Sequence, residues 1–476
     1  MTLHDTMLPT EPLQKALRLL QQNKLGPAIA LVKKQLHQSP QDFNAQHLLG
    51  VLLLKQHRVK QAVYALNCAA ALPAPAKQKA QALNNLSLGL QQQGQFNAAR
   101  QALQQAIEIC PTDPAFYCNL ANLAESEADF PAMADNFRQA LSLQPGMASA
   151  ALGYAIALRK LEQPAAAQQE LKNITEADRD YDWLCEWCLI GSQLQQQSLL
   201  FAELDQLKLD GDSWRDLADY IAEEGYAALA TPFYSACLLR NPSDHTAQHM
   251  LAAIAGEDTV RAPASYVSTL YDRCADEFEK RLVQTLGYNA PTLATTLLRT
   301  FNILPAQQVL DLGCGTGLMG QALAEATTGQ QLIGVDLSQS MLDLAANKQC
   351  YAQLIHSDVL NWQNSQQFSL ICAMDLLIYL GELTTLLDKV TAWLTPGGHF
   401  VCTLELCSFD TPQLQPSGRF RHSIGYISKQ ASIRGLIMRH QETLTLRREG
   451  NSTVEGAILL LQKEACRDRT KTLPTD

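Results

Sequence analysis

The chain has 476 residues, of which 47% are hydrophobic and 18% are charged, and its formal net charge at pH 7 is −10. This length predicts two or three domains, and the composition is typical of a globular protein. The acidic balance argues against a general nucleic-acid binder, which would need a basic surface. The thirteen cysteines are scattered without framework spacing, which favours a reducing compartment, so we expect a cytoplasmic protein.

The sequence predicts neither a signal peptide nor a membrane-spanning segment. The N-terminus has no charged region followed by an apolar run, and the long apolar stretches elsewhere are broken by polar residues. The one C-x-x-C spacing, Cys185-Glu-Trp-Cys188, has no second pair for zinc and no preceding strand for a redox centre. We therefore predict two small buried residues of a helix and no metal site.

The first half of the chain repeats with a period of about 34 residues. The pattern within each unit predicts two amphipathic helices. Small residues lie where the two helices approach, and large apolar residues fill the neighbouring gap. The recurring positions are Ala28, Ala62, Ala99 and Ala167, with Met133 in the remaining place, and Pro40, Pro73, Pro111 and Pro145.

This pattern resembles the tetratricopeptide (TPR) repeat, an all-α solenoid unit. Five units run from about Leu13 to about Ile174, with a short insertion at Pro73–Ala80, and one more recovers at Trp214. We assign TPR repeats to 1–178 and a degenerate helical segment to 179–260. The resemblance implies a surface for a protein or peptide partner. Amides on the first helices are candidates to pair with a bound backbone, the alternative being a solvated polar face. They are Asn84, Asn85, Asn119 and Asn122.

From Gln307 onward, strand-like runs alternate with helical segments, which predicts an α/β domain over 261–464 with a doubly wound, mostly parallel sheet. Seven strands are expected, and the last two form an antiparallel edge hairpin. The polar residues 465–476 are predicted to be a disordered tail. The strand-like runs are 307–312, 331–336, 352–356, 369–374, 399–405, 436–446 and 456–462.

Glycines and acids follow the predicted strands, where ligands of such sheets bind. The first strand leads into Asp311-Leu-Gly-Cys-Gly-Thr-Gly317, and with Gly320 the loop matches the dinucleotide pattern G-x-G-x-x-G. An aspartate here would repel a pyrophosphate, whereas the sulfonium and amino groups of S-adenosylmethionine (SAM) are positive. Asp311 therefore favours SAM over a nicotinamide dinucleotide. Asp336 is placed to accept from both ribose hydroxyls, and Asp358 from the adenine amino group, beside the Val359 amide.

The segments VLDLGCGTG, GVDLS, HSDV and LTPGG, in this order, resemble class I SAM-dependent methyltransferases. YVSTLYDRCADEFEKRL and SGRFRHSIGYI further resemble a bacterial group of predicted methyltransferases with N-terminal TPR repeats. The resemblance implies a Rossmann-like domain, SAM as cofactor, and a leading helix that covers the cofactor with Tyr271 and Phe278. The predicted cofactor residues are Asp311, Gly313, Cys314, Gly315, Thr316, Gly317, Asp336, Leu337, Met341, Asp358, Val359, Asp375 and Tyr271.

Methyl transfer from a sulfonium needs a general base only when the acceptor must lose a proton. Tyr379 and His422 are the catalytic candidates. Arg419, Arg421 and Tyr426 flank His422 in a polar run, PSGRFRHS, which we predict to be a loop between the fifth strand and the next helix. Its arginines either bind an acidic group of the acceptor or are ordinary surface residues.

Two further points remain open in the sequence. Asp375 either touches the cofactor or caps the following helix, and Asp375-Leu-Leu-Ile378 stands where amide- and base-methylating enzymes carry N-P-P-(Y/F). The absence of that tetrapeptide argues against an enzyme that methylates DNA bases or glutamine. The main hypothesis is a methyltransferase whose TPR array recruits an acceptor or partner. The alternative is a TPR scaffold with a non-catalytic or sensory SAM-binding domain.

Overall fold

The structure is a computed structural model that describes residues 10–279, 288–324, 332–449 and 452–465. It divides into two compact units, one ending at Gln206 and the other beginning at Leu207. The second unit therefore includes helical residues that precede the predicted α/β domain. Most of the predicted tail lies outside the described residues. None of the described helices has the length and apolar character needed to cross a membrane.

The first unit consists of helices that pack in consecutive pairs. The first five pairs correspond to the five predicted repeats, and the predicted insertion, Pro73–Ala80, covers the connection after α4 and the first residues of the long helix α5. The helices are α1 (Glu11–Gln21), α2 (Leu25–Gln38), α3 (Phe43–Lys55), α4 (Val59–Ala71), α5 (Ala76–Gln92), α6 (Phe96–Ile109), α7 (Pro114–Ser126), α8 (Phe130–Leu143), α9 (Ala148–Lys160), α10 (Pro164–Lys172), α11 (Tyr181–Gln193) and α12 (Gln197–Gln206).

The small residues of the repeats lie where paired helices approach, as predicted. A Cβ at Gly50 would collide with the side chain of Leu66, and one at Gly153 would collide with the ring of Phe137. Burial of the apolar stripes around such contacts gives one core cluster from Leu13 to Leu123 and further clusters around Phe137 and Leu171, since each repeat covers the apolar face of its neighbour.

Polar contacts also connect neighbouring repeats. The Asn119 amide donates to the Asn84 side-chain oxygen at 2.6 Å, and the Asn85 amide nitrogen lies 2.8 Å from His47 Nε2. Asn122 is exposed. Three of the four predicted partner-binding asparagines therefore take part in side-chain hydrogen bonds within the array itself.

Helix α11 contains the C-x-x-C pair, and both Cys185 and Cys188 are buried, as predicted. The same helix carries Glu186, which forms a buried bidentate ion pair with Arg159 of α9, both N···O distances being 2.7 Å. Sequence reasoning missed this pair. Among the described residues, no group of three or more side chains is arranged to hold a metal ion, and the cysteines described are free thiols.

The second unit begins with three helices and continues into an α/β domain. The helices are α13 (Gly211–Glu223), α14 (Ala227–Arg240), α15 (His245–Ala255), α16 (Ala264–Glu279), α17 (Ala290–Thr300), α18 (Leu318–Leu323), α19 (Gln339–Asn347), α20 (Thr384–Trp393) and α21 (Ile424–Ser432). Trp214, at which the sequence recovers a repeat, is buried in α13 with Leu217, and Ala230 and Tyr234 are buried in α14.

The sheet has nine described strands. They are β1 (Val309–Leu312), β2 (Leu332–Asp336), β3 (Gln353–His356), β4 (Phe368–Ala373), β5 (Leu394–Leu406), β6 (Gln413–Leu414), β7 (Phe420–His422), β8 (Leu436–Glu449) and β9 (Ser452–Lys463). The main order is β3-β2-β1-β4-β5-β9-β8, in which β1 to β5 pair in parallel and β9 is antiparallel to β5 and β8. The seven predicted strands and the edge hairpin are therefore confirmed.

Two short strands were not predicted. β7 pairs in parallel with the end of β5, and β6 pairs antiparallel with β7. The prediction of a simple loop over PSGRFRHS is therefore wrong for Phe420–His422. The signal was a short alternation: Phe420 and His422 are buried, and Arg421 between them is half-exposed.

Candidate functional site

The loop after β1 is shaped by three glycines in the left-handed region, with φ of +67° at Gly313, +52° at Gly315 and +87° at Gly317. The Gly313 and Cys314 amides donate to the Val335 carbonyl at 2.8 and 3.2 Å, which fixes the loop against β2. A Cβ at Gly315 would meet no heavy atom within 4 Å. Gly315 is therefore where the loop faces open space and a ligand has room to approach.

Other glycines of the motif make room for Tyr351 instead. A Cβ at Gly320 would lie 2.5 Å from the Tyr351 ring, and one at Gly334 would lie 2.9 Å from it. The Tyr351 hydroxyl donates to Asp311 Oδ2 at 2.7 Å and accepts from the Gly320 amide at 3.2 Å. The free space at Gly320 is therefore filled by this ring, a contact that the sequence pattern did not predict.

This packing makes Gly320→Ala a costly change. We expect it to lower the free energy of unfolding by roughly 1–3 kcal/mol, because the added methyl group would lie 2.5 Å from the partly buried Tyr351 ring. Gly26→Ala is the control, since a Cβ at Gly26 in α2 meets nothing within 4 Å and alanine favours a helix by about 1 kcal/mol over glycine. Urea unfolding checks both. Equal effects of the two changes would contradict the Tyr351 contact.

Asp336, the last residue of β2, joins the glycine loop to the next helix. It is buried, its Oδ2 accepts from the Gly315 amide at 2.8 Å, and its Oδ1 accepts from the Ser338 amide at 2.9 Å. Burial raises the pKa of this carboxyl, while the backbone donors oppose the rise. Asp336 thus places a carboxylate beside Gly315 at the glycine loop, with a backbone amide on each of its oxygens.

Asp311 is more deeply enclosed, at 1% exposure. Burial raises its pKa from 3.8 to about 7; the Tyr351 hydroxyl opposes this rise and the Asp336 carboxylate adds to it. The side-chain hydrogen-bond partner of Asp311 in the structure is therefore Tyr351. A positive ligand in the loop would act on it through the electrostatic field.

Asp358 follows β3 and forms an ion pair with Arg261, which lies at the start of the domain. Arg261 donates to its Oδ2 at 2.7 Å, and the Leu360 amide donates to its Oδ1 at 2.9 Å. Each oxygen of this carboxylate therefore has a donor within the domain. The neighbouring Val359 is buried at 5% exposure.

The leading helix α16 reaches the same end of the sheet. The Tyr271 and Tyr379 hydroxyls lie 3.0 Å apart, and the Ser338 hydroxyl donates to Asp272. Glu279, at the end of α16, pairs with Lys348 at 2.8 Å. The helix is therefore tied to residues that follow β2 and β4. The side chain of Phe278 lies outside the described residues.

The remaining predicted cofactor residues surround the loop. Thr316 is 1% exposed and its hydroxyl has no hydrogen-bond partner among the described residues. A buried polar atom in this state fits a missing ligand group. Met341 is buried and its amide donates to the Ser338 hydroxyl, and Leu337 and Tyr271 both pack against the cluster that contains Tyr379. Burial raises the pKa of the Cys314 thiol well above its usual value, which is unfavourable for a nucleophile.

Asp375 has a left-handed backbone with φ of +54°. Its amide donates to the Thr403 hydroxyl at 2.8 Å, that hydroxyl donates to its Oδ1 at 3.1 Å, and the Tyr288 hydroxyl also donates to its carboxylate. The short 3-10 helix that follows, Leu377–Tyr379, begins after Leu376. Asp375 therefore bonds across to β5, and its described partners do not include a helix terminus.

The two catalytic candidates are both buried. Burial raises the pKa of Tyr379 and lowers that of His422 to about 4, so at pH 7 both side chains are neutral. His422 Nε2 lies 3.3 Å from the Gly381 carbonyl, to which it donates, and its ring stacks on Tyr426 with centroids 6.0 Å apart. Of the two candidates, Tyr379 is the one whose hydroxyl contacts the leading helix α16, through Tyr271.

Comparison with known proteins gives two matches to family descriptions: residues 309–398 match a methyltransferase domain, and residues 90–125 match a TPR repeat. The chain is 35% identical over 108 residues to a trans-aconitate 2-methyltransferase of Delftia acidovorans, covering 22% of this chain and 40% of that protein. It is 31% identical over 151 residues to the biotin biosynthesis bifunctional protein BioCD of Bordetella avium, covering 31% and 32%. The chain thus spans less than half the length of these relatives.

Solved structures show more distant likenesses. The N-methyltransferase NodS from Bradyrhizobium japonicum WM9, in complex with S-adenosyl-L-homocysteine (SAH), is 15% identical with a TM-score of 0.34, covering 41% of this chain and 97% of that one. PilF of Pseudomonas aeruginosa is 22% identical with a TM-score of 0.37, covering 41% and 89%. Likeness at this level adds nothing to the sequence matches.

The chain therefore combines TPR sequence in its first unit with a methyltransferase domain in its second. The domain match covers the glycine loop and the acids Asp311, Asp336, Asp358 and Asp375. It supports SAM as the cofactor, in agreement with the prediction from Asp311.

Proposed function

We propose that this protein transfers the methyl group of SAM to an acceptor, and that the TPR array recruits the acceptor or a partner. The observation that carries the proposal is the position of Asp336, whose carboxylate lies against the Gly315 amide at the open face of the loop. Both residues fall within the matched methyltransferase segment.

The residues around the loop would divide the binding of SAM among them. Asp336 accepts from the ribose, Asp358 and Val359 lie at the adenine, and Thr316 offers the buried hydroxyl that has no described partner. Asp311 and Asp375 supply negative charge near the amino and sulfonium groups. SAM itself supplies an activated methyl group, so the protein's contribution is alignment and exclusion of water.

Tyr379 and His422 remain the proposed acid–base groups. Both are neutral near pH 7, so each can donate or accept one hydrogen bond without prior ionisation. The relatives named above include an enzyme that, by its name, methylates trans-aconitate. A carboxylate oxygen is therefore one acceptor class for this chain, and such an acceptor needs no base.

The buried Asp311 predicts how SAM binding depends on pH. Below about pH 7 its carboxyl is protonated, and above that it is ionised. Because a sulfonium stabilises the ionised form, we expect SAM affinity to rise between pH 6 and 8 by up to about tenfold, and SAH affinity to rise less. Titration calorimetry measures both. Asp311→Asn should flatten the SAM profile, and an equally steep profile in that variant would exclude Asp311.

The same shift affects stability. The folded pKa lies above the ordinary value of 3.8, so ionisation of Asp311 disfavours the folded state. Its contribution to the free energy of unfolding is therefore most favourable below about pH 4 and falls as the pH rises to about 7. Asp311→Asn should remove this part of the pH dependence.

Turnover tests the proposed function directly. The full chain is incubated with methyl-labelled SAM and a soluble cell extract, beside the Asp336→Ala variant. The proposal predicts label transfer that requires Asp336. Intact SAM binding with no transfer to any fraction would instead support the alternative function, a TPR scaffold whose second unit senses the cofactor.

A further inference from the structure

The connection between α15 and α16 runs beside the segment that follows β4. The Gly381 amide donates to the Val260 carbonyl at 3.0 Å, and the Ala262 amide donates to the Tyr379 carbonyl at 2.9 Å. Arg261 lies between these two bonds, in an antiparallel bridge with that segment. The backbone of Arg261 is therefore fixed from both sides, at the end of the sheet that carries the candidate site.

The close approach of the connection depends on a glycine opposite it. A Cβ at Gly381 would lie 2.5 Å from the Thr259 carbonyl oxygen and 3.0 Å from the Val260 carbonyl oxygen. Because Gly381 has no side chain, the two backbone segments can pack directly against each other. The position of Arg261 is thus a property of the fold and does not require a ligand.

The guanidinium group of Arg261 reaches the carboxylate that follows β3. Its Nη1 donates to Asp358 Oδ2 at 2.7 Å, and the Asn361 side chain donates to the same oxygen at 3.1 Å. The side chain of Asp358 is only 10% exposed. Among the described residues, Arg261 is the one basic residue that forms an ion pair with this mostly buried acid.

The Asp358 carboxylate keeps room for one more donor. Each carboxylate oxygen can accept two hydrogen bonds. Within the described part of the chain, Oδ2 accepts from Arg261 and Asn361, whereas Oδ1 accepts from the Leu360 amide alone. A ligand amino group can therefore bind Oδ1 while Arg261 stays in place on Oδ2. The adenine amino group is a donor of this kind.

Without Arg261, Asp358 would lose its counter-charge. Burial of a carboxylate that has no opposite charge is unfavourable, so the side chain is expected to turn toward water. A rotated carboxylate no longer presents Oδ1 in the position that its present contacts define. Arg261 therefore stabilises both the charge and the orientation of Asp358.

We propose that Arg261 positions Asp358 for recognition of the adenine amino group of the cofactor. The connection that follows the helices α13 to α15 then forms part of the cofactor site, although it lies outside the matched methyltransferase segment. Arg261 acts through Asp358 and is a positioning residue. This inference rests on the proposed function, since it concerns the adenine end of that same site.

The test compares two ligands that differ only in the amino group. They are SAH and its purine-riboside analogue, which lacks the 6-amino group, and calorimetry measures the Kd of each for the full chain. We expect wild-type protein to prefer SAH by about tenfold or more, as for a hydrogen bond to a charged acceptor. Arg261→Met keeps the length of the side chain without its charge or donors, and it should reduce the preference to about threefold or less. Arg261→Lys keeps the charge and should restore most of the preference.

Arg434→Met is the matched control. Arg434 also forms an ion pair with one acid, Asp388 of α20, at 2.6 Å. Its described side-chain hydrogen bonds other than this pair go to Gln430 of α21. This variant should therefore keep the wild-type preference for SAH.

The preference separates a positioning role from a structural one. A structural role of Arg261 would weaken both ligands equally, so an unchanged preference in Arg261→Met contradicts the inference. A folded Arg261→Met that binds neither ligand also contradicts it, because Arg261 would then support the whole cofactor site. Thermal unfolding reports whether this variant folds. If it does not, the same preference is measured in Arg261→Gln, which keeps a neutral donor, and the same outcomes decide.

The wild-type protein separates this inference from the proposed function. If it binds SAH and the analogue equally, Asp358 does not read the amino group, and the inference is contradicted while the cofactor site stands. If it does not bind SAH, the proposed function fails and this inference fails with it.

Discussion

Asp336→Ala is expected to lower the affinity for SAM and SAH by about 100-fold or more. The change removes two proposed hydrogen bonds from the ribose, each worth about 1.5–3 kcal/mol when the acceptor is charged. It also removes the contact that holds the Gly315 amide at 2.8 Å. The loop would then lose both its ligand contact and its anchor.

Titration calorimetry measures this loss, with Asp343→Ala as the control. Asp343 is an exposed acid on α19 that accepts from Gln339, so its removal should leave affinity unchanged. Asp336→Asn should fall between the two, since an amide keeps one acceptor oxygen. Affinity in Asp336→Ala that stays within a factor of three of wild type would remove Asp336 from the cofactor site.

The second large effect concerns the stability of the first unit. Arg159 and Glu186 are each 1% exposed and form two hydrogen bonds of 2.7 Å. Replacing Arg159 with methionine leaves Glu186 buried without its counter-charge. We expect this to cost about 3–5 kcal/mol of unfolding free energy, as for other broken buried pairs.

The double variant Arg159→Met/Glu186→Leu should recover most of that loss, because it removes the uncompensated charge as well. Arg138→Met is the control, since the Arg138–Asp135 pair is more than half exposed and such pairs contribute little. Urea unfolding measures the loss; Trp183 and Trp187 of this unit contribute to the fluorescence signal together with Trp214, Trp362 and Trp393 of the second unit. If Arg159→Met lowers the free energy of unfolding no more than Arg138→Met does, the buried pair contributes no stability.

Periodic patterns made much of the fold predictable. The 34-residue period located five helix pairs, because each repeat must place its small and large residues at the same contacts. Alternating strands and helices located seven strands of the sheet, and the acids after them located Asp336 beside the glycine loop. These features are local in sequence, so a local pattern can reveal them.

Contacts between distant residues were not predictable in the same way. Tyr351 is 40 positions from Asp311, and Arg261 is 97 positions from Asp358. Each pairing depends on how strands and helices stack, and neither Tyr351 nor Arg261 lies in a recognised motif. The role of Gly320 in admitting Tyr351 was missed for the same reason. The β6–β7 hairpin was missed because its strands are two and three residues long.

The central claim is that the loop after β1 binds an adenosyl sulfonium and not a dinucleotide. Thermal unfolding of the full chain with SAM, SAH or NAD tests it most directly, because a ligand that binds the folded state must raise its stability. The account predicts a raised unfolding temperature with SAM and SAH and none with NAD. Stabilisation by NAD alone, or by none of the three, would contradict it.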